Sequence, residues 1–201
     1  MGRFRKSSYT NNEFFQGRHR FEHWYRDNTV YFITSRTRDG YAAFESEGAK
    51  AVFWDRFLFY TSLLGFVPWV TSLLNNHYHT LGYLRVGENL GELMRKLHGS
   101  VAWMVMKETG VRHVPFWRSK GNKDYFDGCI RDVLQARRAY RYTLLQAVKA
   151  RLVRDWRDYP HTRVNVELEP AIRRAVALNA FLEDLPYARY ERKQQRRGRL
   201  R

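Results

Sequence analysis

Two runs of apolar and small residues, 66 to 74 and 78 to 84, are separated by little more than Asn75-Asn76. Each run has the length of a β-strand. A gap this short leaves room only for an antiparallel hairpin or for one strand continued through a bulge. With a hairpin there, the centre of the sheet is antiparallel. The second run opens with His77-Tyr78-His79. Alternate side chains of a strand share a face, so both imidazoles point one way and Tyr78 the other. That geometry suits two ligands of one metal ion, which then needs further donors from elsewhere in the chain. An ordinary hydrogen-bonded pair of histidines satisfies the same spacing.

The remaining pattern alternates strands with helices. Thr29 to Thr34 is rich in β-branched and aromatic residues and predicts a strand, ended by the Arg38-Asp39-Gly40 turn. Near-helical spacing of Phe44, Ala51, Val52, Phe59 and Leu63 predicts a helix over about 44 to 63. Leu90, Met94, Leu97, Val101 and Met104 predict another over 87 to 108, with Gly110 as its cap. A short strand or loop over 114 to 127 leads to a helix over about 130 to 153. On that helix Arg138, Tyr142, Gln146 and Lys149 fall four, four and three apart and form one polar stripe. Tyr140 shares the side of Val133, Ala136, Leu144 and Ala147 and is expected in the core. This order points to an α+β fold in which helices cover one face of a mainly antiparallel sheet. Residues 1–27 read as a basic arm and 28–160 as the main domain. Residues 161–190 read as a helical extension, with Pro170 in the first turn of its helix, and 191–201 as a basic tail.

With 36 Lys plus Arg against 20 Asp plus Glu, the net charge is +16, the electrostatic footprint expected of a protein that meets phosphate backbones. Basic residues also interleave with aromatics, as in Phe116-Trp117-Arg118-Ser119-Lys120, where ring faces could stack unpaired bases. The single cysteine, Cys129, rules out a disulfide within the chain and a cysteine-rich zinc site. The basic start lacks an apolar signal core, and the greasiest stretch, 57 to 74, is interrupted by Pro68 and by polar residues, so no membrane span is expected. Among the other histidines, His19 and His23 have helical spacing without the HExxH arrangement, His98 could meet a nucleic acid or simply sit on its helix, and His113 and His161 fall in loops.

Taken in order, the apolar run, the His-X-His, the amphipathic helix, the Val114-Pro115-Phe116-Trp117-Arg118 turn and the Tyr142-bearing helix resemble the single-tyrosine HUH transposases. The REP-associated tyrosine transposases look nearest among them. The resemblance spans roughly residues 25 to 160. His77-Tyr78-His79 matches the HUH motif, Tyr142 the nucleophile, and Gln146 the third metal ligand one helical turn later. Leu74-Asn75-Asn76-His77 stands where the family commonly shows Met-Pro-Asn-His, and Gln146-Ala147 where it shows Asn-Pro. Glutamine offers the same amide oxygen on a longer arm.

The resemblance implies a ferredoxin-like fold and a metal-dependent single-stranded DNA endonuclease and strand transferase acting on hairpin or palindromic DNA. The implied intermediate is a 5′-phosphotyrosine, and the implied cofactor a divalent ion, magnesium or manganese. No nucleotide cofactor is expected, in keeping with the absence of a GxxxxGK[ST] loop. DNA contacts are expected from Arg138 and Lys149, from Arg118 and Lys120, and from Arg192, Lys193, Arg196 and Arg197 of the tail. For Arg138 and Lys149, solvated helix charge is the alternative. The expected setting is the cytoplasm, at the nucleoid, and a homodimer is compatible with it. A DNA-binding or regulatory protein that keeps the fold without cleaving is the rival reading.

Overall fold

The computed structural model describes residues 26–117 and 124–182. Strand β1 (Thr29–Arg36) is followed by helix α1 (Glu47–Leu64), and the central hairpin is β2 (Phe66–Leu73) and β3 (His77–Leu84). Helix α2 (Asn89–Thr109), strand β4 (Tyr125–Cys129), helix α3 (Val133–Leu144) and a single turn α4 (Gln146–Lys149) come next. Strand β5 (Thr162–Val164) and helix α5 (Leu168–Ala177) close the described chain. The strands lie in the order β4-β1-β3-β2-β5, and every neighbouring pair is antiparallel. The first four strands with α1 and α2 form the split βαβ arrangement of a ferredoxin-like domain. The expected class, α+β with a mainly antiparallel sheet and helices packed on it, is therefore the observed one.

Helix boundaries follow local chemistry. Ser46 Oγ accepts from the Ala49 amide to start α1, and Gly65, at a φ of 74°, ends it in the left-handed conformation that glycine adopts at least cost. Gly110 ends α2 in the same way, as expected. In the hairpin, the pairing of β2 with β3 slips by one residue between Pro68 and Val70. Phe66 and Leu73 are seven apart and would face opposite sides of a regular strand. The extra residue brings both onto the side of Leu84 and Tyr78, and turns Trp69 and Val70 to the other.

Both faces of the sheet are covered, where one covered face was expected. Tyr31, Ile33, Tyr78 and Leu84 pack beneath α1 and α2. Val30, Val70 and Leu81 pack against Ala136 and Tyr140 of α3 and Ala171, Ile172 and Ala175 of α5. β5 and α5 supply an edge strand and a helix to the same sheet and core. The chain also returns to β1 and β4, with the Val30 amide donating to the Ala180 carbonyl and the Leu182 amide to Ile130. Among the described residues no helix is long and apolar enough to cross a membrane.

Candidate functional site

On β3, His77, His79, Leu81 and Tyr83 share the face that α3 and α5 cover. Leu81 belongs to that core, and the two histidines lie beyond it toward the start of the strand. His79 is only 5% exposed. Its Nδ1 lies 2.7 Å from Oγ1 of Thr34, its register partner on β1, and its ring stacks on Phe32 with 5.8 Å between centroids. His77 Nδ1 lies 2.6 Å from Asn76 Oδ1. The two imidazoles stand nearly perpendicular, 5.0 Å apart between centroids.

The other half of the site comes from α3. Asp132 Oδ1 caps the helix by accepting from the Gln135 amide at 2.7 Å, while Gln135 Oε1 accepts from the Arg131 amide at 2.7 Å. Ala136, Tyr140 and Thr143 form its buried side. Tyr142 sits beside that stripe, 42% exposed, and meets His79 edge-on at 5.2 Å and Phe32 at 6.0 Å between centroids. The helix expected over 130 to 153 stops at Leu144. Leu145, at a φ of −87° and a ψ of 6°, sets off the separate turn α4. The polar stripe therefore crosses a break, and Gln146 begins the new turn. Gln146 is 6% exposed, and its Nε2 donates to the Tyr142 carbonyl at 2.9 Å. Its side chain also lies beside His77, where it opposes the lowering of that imidazole's pKa. Lys149 Nζ lies 4.2 Å from the Tyr142 ring centroid, a cation–π contact that limits where the ring can swing.

The surroundings keep both imidazoles neutral. Burial first, then the neighbouring His77 and the Lys149 ammonium, push His79 down to about 3. His77 is lowered by burial and by the charge of Arg36, its register partner on β1, against the opposing influence of Gln146. Neutral rings are what a metal requires of histidine ligands. Two imidazoles with one amide oxygen form a nitrogen and oxygen donor set that fits a divalent ion. Among the described residues no group of three or more His, Cys, Asp or Glu side chains gathers to hold a metal.

The fold thus assembles His77, His79, Tyr142, Gln146 and Lys149. Arg138 is exposed one turn before Tyr142 on α3 and makes no ion pair among the described residues. Arg118, Lys120, Arg192, Lys193, Arg196 and Arg197 lie outside the described residues, as do His19 and His23. Phe116 and Trp117 are core residues, so their faces are not available for stacking; the Trp117 indole donates to the His98 carbonyl at 3.0 Å. His98 is also internal, with Nε2 2.9 Å from Tyr78 Oη and Nδ1 2.8 Å from Asp124 Oδ2, and a nucleic-acid role for it falls away. Tyr140 is buried as expected, its hydroxyl donating to the Val166 carbonyl at 3.1 Å. Sequence reasoning missed Phe32, Thr34 and Arg36. Only the β1–β3 register brings them to the histidines; the alternation within 29 to 36 was the one signal that could have put the three on one face.

No family model and no curated protein matches the sequence. Among solved structures the chain is similar to that of a REP-associated tyrosine transposase bound to a REP hairpin, with a TM-score of 0.56 and 15% sequence identity. The match covers 85% of this chain and 90% of the other. The two proteins share a fold.

Proposed function

We propose that the chain is a metal-dependent single-stranded DNA endonuclease and strand transferase that acts on hairpin or palindromic DNA with Tyr142 as its nucleophile. One observation carries the reading: Tyr142 stands edge-on to His79, 5.2 Å away, over a donor set of His77, His79 and Gln146. The fold shared with a transposase bound to a REP hairpin supports the substrate class, as does the net charge of +16.

In this reading the Tyr142 oxygen forms a bond to phosphorus while the bond to the 3′ oxygen breaks. The phenolic proton passes to solvent, and the departing 3′ oxygen takes up a proton. The product is a 5′-phosphotyrosine with a free 3′-hydroxyl. Attack by a 3′-hydroxyl on that linkage rejoins strands and releases the tyrosine, so the bond energy is conserved and no nucleotide is consumed. A divalent ion held by His77, His79 and Gln146 would polarise the scissile phosphate as a Lewis acid. Lys149 restrains the attacking ring, and with Arg36 it supplies positive charge on the flank where phosphate arrives.

The test is to incubate the protein with labelled single-stranded hairpin DNA and manganese and to look for a covalent adduct on a denaturing gel. Wild type should form it and Tyr142→Phe should not. Tight hairpin binding with no adduct in wild type would assign the rival reading, a protein that binds DNA without cleaving it.

A further inference from the structure

We infer that Thr34 and Asn76 are positioning residues that fix the tautomers of His79 and His77, so that both rings turn Nε2 toward the centre of the site; this rests on the metal-binding part of the proposed function. The Asn76 amide is oriented by its own bond: Nδ2 donates to the Gly40 carbonyl at 3.0 Å, which leaves Oδ1 against His77 Nδ1 at 2.6 Å. An amide oxygen only accepts, so Nδ1 carries the ring proton and Nε2 keeps its lone pair.

Thr34 reaches His79 from the neighbouring strand, its Oγ1 2.7 Å from Nδ1. When that hydroxyl accepts, His79 has the same tautomer as His77. Were it to donate, Nε2 would carry a hydrogen and could not bind a metal. At 5% exposure, His79 has little access to water that could replace a lost hydroxyl. Partners of this kind orient a ligating histidine, and their loss typically costs 10- to 100-fold in metal affinity.

Two measurements on the whole protein test this. Proton–nitrogen correlation spectra of metal-free protein, isotope-labelled at the imidazole nitrogens, report which ring nitrogen is protonated. Calorimetric titration with manganese reports affinity. Wild type should show both rings protonated on Nδ1. Thr34→Val, which keeps the side-chain shape, should mix the His79 tautomers and weaken manganese binding by roughly 10- to 100-fold. Thr34→Ser should restore both readouts, which a merely structural defect would not allow. Asn76→Leu should do the same to His77, with recovery in Asn76→Asp, which retains the acceptor. Wild-type rings protonated on Nε2, or Thr34→Val with unchanged tautomers and affinity, would overturn the inference. If wild type takes up no manganese, the metal part of the proposed function falls, while the spectra of wild type and Thr34→Val still decide the positioning role.

Discussion

His79 loses most of its water on folding and faces two other basic groups, so protonating it is far harder in the folded than in the unfolded chain. Its folded value, about 3, lies below the ordinary 6.5. The stability this neutral ring contributes is therefore present above about 6.5 and is lost as pH falls toward 3. In chelator, the free energy of unfolding should drop by roughly 2 kcal/mol between pH 7 and pH 5 from this group alone, and His79→Gln should flatten the profile by that amount in denaturant titrations. The two neighbouring tyrosines separate a chemical from a structural role. Tyr142→Phe should abolish the covalent adduct with hairpin binding near wild type, because only the attacking oxygen is removed. Tyr140→Phe should keep forming adduct and lose about 1 kcal/mol of stability, the worth of its bond to the Val166 carbonyl. A dead Tyr140 variant beside an active Tyr142 variant would reverse the assignment.

At the scale of elements, the site depends on where α3 starts and stops. The Asp132 cap fixes its first turn, and Asp132→Ala should cost about 1 kcal/mol in a thermal or denaturant melt. After the break at Leu145, Gln146 ties its side-chain amide to the Tyr142 carbonyl, which links the proposed third ligand to the backbone of the proposed nucleophile. Gln146→Ala should weaken manganese binding in calorimetry, by less than either His77→Ala or His79→Ala, since imidazole is the stronger ligand. On the opposite strand the bulge demands close approach. A Cβ on Gly82 would lie 2.6 Å from both the Phe66 ring and the Val67 carbonyl oxygen. Gly82→Ala should therefore destabilise the domain by about 1–3 kcal/mol, measured by denaturant unfolding, because the oxygen belongs to backbone and cannot swing aside.

For the whole molecule, charge and packing divide the chain into parts that tolerate deletion differently. Residues 191–201 hold six Arg or Lys against one Glu. Removing them should flatten the dependence of log affinity for single-stranded DNA on log salt, by roughly 2 units if three phosphate contacts are lost, as anisotropy titrations at several salt concentrations would show. Ending the chain at residue 160 should instead collapse the cooperative melt, because β5 and α5 cover one edge and one face of the sheet. That contrast marks what the sequence could and could not reveal. Local patterns were enough for two adjoining central strands, for the shared face of His77 and His79, for the burial of Tyr140 and for the cap at Gly110, because a repeat of two or of 3.6 residues, or one glycine, states each of them within a few positions. Tertiary structure alone decided that both faces of the sheet are covered, that Phe116, Trp117 and His98 turn inward, and that α3 breaks at Leu145. It also decided that Phe32, Thr34 and Arg36 stand beside the histidines. Each of these depends on strand register or on contacts between residues far apart in the chain, and no local repeat encodes which side chain a distant strand will bring alongside.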